Sequence, residues 1–178
     1  MKSIVFICPY FGKLPKKQML LWLKTCKKND SIKWVIITDD KTKYQLPENV
    51  VIKYMKFDDL KKRIQNKFSF EIIINSAYKL CDFKPLYGFL FPEIVKDFDF
   101  WGHCDLSDSI FGDLRLFLTE KVLNEYEKIL FLGHMTLYKN TEEINTRFKI
   151  VTKSGKKLKD IIGTPNNMAF DELNAVSI

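Results

Sequence analysis

Apolar residues in this chain come in short unbroken runs, separated by lysine-rich stretches whose apolar positions recur every three to four residues. Ser3-Ile4-Val5-Phe6-Ile7-Cys8 is such a run, rich in β-formers and stopped by Pro9, and it predicts a buried first strand. After a loop from Pro9 to Pro15, the stretch Lys16 to Lys27 puts Met19, Leu20, Leu23 and Cys26 on one stripe, as an amphipathic helix would. Lys33 to Thr38 reads as a second strand with Asp39-Asp40 at its end, Val50 to Tyr54 as a third, and Phe57 to Asn66 as a helix. Further on, helices are expected over Ile74 to Lys79 and Pro85 to Lys96, and a fourth strand over Phe98 to Cys104. Phe111 to Asn124 reads as mostly helical and Lys128 to Leu132 as a strand. Thr141 to Phe148 reads as a helix opened by a threonine cap. Strands joined by helical crossovers predict an α/β fold with a mostly parallel central sheet flanked by helices, and one domain over residues 1–178.

Composition narrows this picture. No apolar run approaches the roughly 20 residues that span a bilayer. The N-terminal apolar run lacks a small-residue cleavage site and reads as a strand, not a signal peptide. Cys8, Cys26, Cys81 and Cys104 show no CxxC spacing and sit among apolar neighbours, which points to reduced thiols in a cytoplasmic protein. The net charge of +7 gathers at Lys16-Lys17, Lys27-Lys28, Lys61-Lys62-Arg63 and Lys156-Lys157. Such lysines form either a solvated surface or an attraction to something anionic: a nucleotide, a lipid-linked phosphate or the inner membrane face. No helix-turn-helix, zinc-finger or RNA-binding pattern appears, so nucleic acid is not an expected partner.

The candidate chemistry stands where the fourth strand ends. Asp105, Asp108 and Asp113 follow Phe98–Cys104 within a few residues. Carboxylates there suit a hard cation, Mn²⁺ or Mg²⁺, completed by substrate phosphates. The competing reading is a polar turn in which Asp113 caps the next helix. His103 and His134 lack a thiolate at ligand spacing, which argues against zinc. In parallel sheets ligands bind at the carboxyl ends of strands, which collects the Pro9–Pro15 loop, Asp39 and Asp105 on one edge. His134, just after Gly133, is expected there too, as a base or a sugar contact. Lys84 precedes Pro85, which favours an extended backbone and a fixed direction for the ammonium.

Three segments carry a resemblance. Tyr78-Lys79-Leu80-Cys81-Asp82-Phe83-Lys84-Pro85-Leu86-Tyr87-Gly88, then Phe98 to Asp105, then Phe111-Gly112-Asp113-Leu114 resemble a bacterial family of proteins assigned as glycosyltransferases of surface-polysaccharide synthesis. Phe131 to Thr141 looks like a later motif of that family, and the likeness runs from about Ile4 to Asn145. It implies a GT-A-like domain that transfers sugar from a nucleotide-sugar donor to a saccharide or lipid-linked acceptor with Mn²⁺ or Mg²⁺. Asp105 and Asp108 would hold the metal, Tyr10 would stack on the base, and Thr38 or Asp39 would accept its hydrogen bonds. Lys79 and Lys84 would meet the diphosphate, Asp82 a ribose hydroxyl, and His134 the reacting sugar. The family's Asp-x-Asp pattern departs here to Asp105-Leu106-Ser107-Asp108, one residue longer. That changed spacing keeps a second reading open, an inert nucleotide-binding module or scaffold of a synthase complex. Family members continue past this chain's last residue, which implies a shortened form carrying the donor half of the site.

Overall fold

The computed structural model describes residues 1–106, 109–131, 133–150 and 155–172. Six strands form one sheet: β1 (Ile4–Pro9), β2 (Ile32–Thr38), β3 (Val50–Tyr54), β4 (Phe100–Cys104), β5 (Lys128–Ile129) and β6 (Met135–Lys139). Their spatial order is β3-β2-β1-β4-β6-β5. The first four pair in parallel, whereas β6 lies antiparallel to both β4 and β5. The sheet is therefore mixed, and the expectation of a mostly parallel one is corrected. The strand responsible, Met135-Thr136-Leu137-Tyr138-Lys139, follows the short loop after β5, and a turn that short returns the chain antiparallel.

Both faces of β1, β2 and β4 are covered, which is why these strands read as continuous apolar runs rather than alternating ones, whereas β3 at the edge leaves Val51, Lys53 and Tyr54 exposed. On one face Ile4, Phe6, Cys8, Trp34, Ile36 and Phe100 pack beneath helix α1 (Lys16–Lys28). Trp34 is stacked between Phe6 and Phe111 at centroid distances of 4.6 and 5.0 Å, with Trp22 of α1 edge-on at 5.4 Å. The other face, with Val5, Ile7, Val35, Ile37, Trp101 and Tyr138, is covered by the 3₁₀ turn Arg147–Lys149, which carries Phe148, and by six further helical pieces. These are α2 (Phe57–Gln65), a 3₁₀ segment (Ala77–Leu86), α3 (Tyr87–Leu90), α4 (Pro92–Val95) and, later in the chain, α6 (Glu142–Thr146) and α7 (Leu158–Ile162). A short helix, α5 (Glu120–Glu125), precedes β5.

Several expected helices are shorter or of another kind. Residues 74–76 are irregular, and the 3₁₀ segment runs through Lys84 and Pro85, so Lys84 is not extended. The expected Pro85–Lys96 helix breaks at Phe91, because Pro92 disfavours helical backbone in the residue before it. Within Phe111–Asn124 only a 3₁₀ turn (Leu114–Leu116) and α5 form. Asp113 caps that turn, accepting from the Arg115 N–H at 2.9 Å. The expected strand Lys128–Leu132 is ordered as β5 over two residues, and Leu132 lies outside the described residues. The expected Thr141 cap holds, accepting from Ile144 at 3.3 Å, and Thr119 caps α5 in the same way, accepting from Val122 at 3.3 Å. Among the described residues no helix is long and apolar enough to cross a membrane.

Candidate functional site

β1, β2 and β3 step outward on one side, and β4 then pairs on the far side of β1. Strand order reverses between β1 and β4, and a crevice opens at the carboxyl ends of strands where it does. A cleft of about 290 Å³ lies there, between Pro9-Tyr10-Phe11 after β1 and Asp105-Leu106 after β4. Ala77, Tyr78, Cys81, Lys84 and Tyr87 of the neighbouring helical segments complete its wall. A larger hollow of about 620 Å³ sits at the opposite, amino edge of the sheet, lined by Ser3, Ser31, Lys33, Glu48 and Asn49. Its lining side chains are engaged within the chain: Lys33 donates to the Glu48 carbonyl at 3.0 Å, Asn49 to the Cys26, Asn29 and Ile32 carbonyls, and Ser3 to Asp99 at 2.9 Å. The smaller cleft is the better candidate because charged groups converge on it.

Lys84 organises that convergence. Its side chain is 8% exposed, and its ammonium donates to the Gly133 carbonyl at 2.6 Å. It pairs with Asp105 at 3.0 Å and with Asp171 at 3.1 Å. Burial alone would lower the Lys84 pKa, but Asp105 and Asp171 outweigh it and hold it above its usual value. Burial pushes the Asp171 carboxyl up, against the opposing pull of Lys84. Gly133 is clamped from both ends, its N–H donating to Glu172 at 3.0 Å. A Cβ there would stand 2.5 Å from Glu172 Oε1 and 2.7 Å from Asp171 Oδ2, so any larger residue would have to push these carboxylates aside. Asp171 and Glu172 come from the far end of the chain, and sequence reasoning missed them; an acid pair after the apolar Phe170 was the one available signal.

His134 joins through Asp105. Its Nδ1 lies 3.2 Å from Asp105 Oδ2, and its carbonyl accepts the Asp105 N–H at 2.9 Å. With Nδ1 carrying the proton toward Asp105, Nε2 is left to accept one, and the side chain is 67% exposed. Asp108 lies outside the described residues. Among the described residues no three histidine, cysteine or carboxylate side chains group to hold a metal. The Asp105 oxygens offer roughly four lone-pair directions, of which Lys84 takes two and His134 one. The set fits a cation held through one carboxylate oxygen and completed by phosphates and water, not a protein cage.

The remaining expected residues divide. Tyr10 lines the cleft, its N–H bonded to the Ile37 carbonyl at 2.8 Å, and Tyr78, 70% exposed, stands at the rim. Asp39 is exposed and accepts from Gly12 N–H at 2.8 Å, tying the loop after β1 to the end of β2. Thr38 is fully buried, and its hydroxyl accepts the Asp40 N–H at 3.1 Å. Lys79 and Asp82 are not brought to the cleft. They form a buried ion pair at 2.7 Å with both side chains at 0% exposure. Lys79 also donates to the carbonyls of Ile161 and Asn166 at 2.9 and 2.6 Å. Asp82 accepts the N–H groups of Met168 and Phe170 at 2.9 and 3.0 Å. The pair fastens the segment that delivers Asp171. Its polar atoms are spent on this chain and do not reach a ligand in this conformation.

Two further groups bear on the chemistry. Burial raises the Cys81 thiol to about 11, which keeps it protonated at neutral pH. His103 on β4 is 1% exposed, and neither ring nitrogen has a partner among the described residues. Burial, then the Lys84 and Lys128 charges, pushes its pKa well below the usual range. No curated protein matches the chain. Residues 6–178, and with them every side chain of this cleft, match the profile of DUF6625, and the chain belongs to that family of unknown function.

Proposed function

We propose that the cleft binds a nucleotide-sugar and that the chain transfers the sugar to a saccharide or lipid-linked acceptor, as a GT-A-like enzyme. The observation that carries the reading is the meeting of Lys84, Asp105 and His134 beside Tyr10 and Tyr78 at the edge where the strand order reverses. An aromatic pair can stack a base, and an Asp–His pair can accept the proton of an attacking hydroxyl at Nε2. Asp105 would hold Mn²⁺ or Mg²⁺, which when bound takes up charge on the leaving diphosphate. Two carboxylates, Asp105 and Asp171, pair with one ammonium, Lys84, an excess of negative charge that favours such a cation. Lys84 would reach a phosphate by exchanging its bond to Asp171 or Gly133 while keeping Asp105. The second reading, a nucleotide-binding module without turnover, is favoured by one feature: Lys84 and His134 already occupy Asp105 in the same site.

Calorimetric titration with a panel of nucleoside diphosphates, with and without Mn²⁺, tests both. Metal-assisted binding with one preferred base supports the transferase, and metal-independent binding supports the module. Asp105→Ala should abolish the metal-dependent part of binding with a melting temperature close to the parent's. Lys84 keeps Asp171 and the Gly133 carbonyl in that variant, so no buried charge is orphaned. No binding of any nucleoside diphosphate by the parent would refute the proposal.

A further inference from the structure

Helix α1 follows directly on the loop that lines the cleft, and it carries no acidic residue. Its buried side, Met19, Trp22, Leu23, Thr25 and Cys26, is spent on the sheet. The outer side is different. At about 100° per residue, positions 16, 27, 20, 24, 17, 28 and 21 follow one another around a single arc of roughly 140°. All seven side chains on that arc are exposed: five lysines (Lys16, Lys17, Lys24, Lys27, Lys28) and two leucines, Leu20 at 46% and Leu21 at 49%.

Neighbouring segments extend the arc with further lysines. Lys13 and, across the end of β2, Lys41 and Lys43 are exposed beside the first turn of α1, where Asp40 is engaged with the Leu14 N–H. Acids flank the arc at both ends: Asp39 and Asp40, bonded to the Gly12 and Leu14 N–H groups, before the first turn, and Asp30, Asp113 and Glu48, next to Asn49, which donates to the Cys26 and Asn29 carbonyls, past the last. On that side the chain from Gly112, bonded to Asn29, presents Leu116 at 79% and Phe117 at 42% exposure. Lysines alone would be a solvated face. Leucines between lysines are the composition of a helix that lies in a membrane interface, its apolar side chains at the acyl boundary and its ammoniums on anionic headgroups.

We infer that the outer face of α1 is a docking surface for an anionic phospholipid membrane. The charge of the arc selects the partner, and the exposed leucines separate a bilayer from a merely acidic macromolecule, which offers nothing for them to enter. Docking through α1 would also set the cleft near lipid-linked substrates. That consequence rests on the transferase reading, whereas membrane binding itself does not.

Co-sedimentation of the full chain with vesicles tests the inference apart from any nucleotide. Binding is expected to vesicles of phosphatidylcholine mixed with phosphatidylglycerol and not to phosphatidylcholine alone. Lys17→Glu with Lys24→Glu should weaken it by roughly fivefold or more per lysine. Leu20→Ser with Leu21→Ser should weaken it at a salt concentration that screens the charges. All four positions are exposed, so unchanged circular dichroism is expected and serves as the folding control. Absent binding to the anionic vesicles overturns the inference. So does binding that both double variants retain, or polyglutamate competing fully while the leucine variant binds like the parent, which would mark a general polyanion surface.

Discussion

Replacing Lys79 with methionine removes one ammonium and three hydrogen bonds from a site with no water access. The parent ammonium spends all three donors, on Asp82 at 2.7 Å, Asn166 at 2.6 Å and Ile161 at 2.9 Å. The methionine stem fills nearly the same volume, so packing changes little, but Asp82 is left at 0% exposure without its counter-charge. Removing one partner of a buried pair costs about 3–5 kcal/mol, against a total stability of about 5–15 kcal/mol. At about 2–4 °C per kcal/mol for a chain of this size, the melting temperature should fall by roughly 6–20 °C. Asp82→Asn added to Lys79→Met removes the orphaned charge and keeps an acceptor for the Met168 and Phe170 N–H groups. The double variant should therefore recover part of the loss, a sign that cannot arise if the two residues act independently. Urea and thermal unfolding read the stability, and nucleoside-diphosphate titration at low temperature reads the site. If Lys79→Met melts within about 2 °C of the parent and yet loses nucleotide binding, the pair is a ligand contact and the structural reading fails.

Two further predictions concern the core. His103→Leu deletes two ring nitrogens that have no partner among the described residues and should be neutral or stabilising at pH 7.5, within about 1 kcal/mol. Because the folded-state pKa of His103 is depressed, the unfolded chain binds the extra proton below its ordinary value of about 6.5. Parent stability should therefore fall as pH drops from about 6.5. The difference in urea stability between parent and His103→Leu should shift by up to about 1.4 kcal/mol per pH unit over that window, and parallel profiles would refute it. Gly88→Ala should destabilise by about 1–3 kcal/mol by overpacking, because the added Cβ meets the indole of Trp101, itself held by Asn145 at 2.5 Å. An unchanged urea midpoint would show that the indole can move aside.

The strands β1 to β4 and the helices α1 and α2 were legible from local pattern alone. Burial on both faces forces unbroken apolar runs in β1, β2 and β4, and burial on one side forces the helical stripe in α1, from which Leu20, expected on it, is turned out to 46% exposure. The same pattern put Asp105, His134 and Tyr10 on one sheet edge, since parallel strands all point their carboxyl ends the same way, and it allowed for Asp113 as a cap. Tertiary structure alone decided where β6 went: an apolar pentad states that it will pair, not with which strand or in which direction. Only it separated Lys84 from Lys79, two lysines five positions apart on one 3₁₀ segment, one lining the cleft and the other wholly buried. Asp171 is the clearest case, because its pairing with Lys84 closes a long loop whose ends share no local pattern. Periodicity reports the environment a residue needs among its near neighbours. A buried charge is satisfied by whichever distant group the packed layers deliver, and that partner is visible only once the chain is folded.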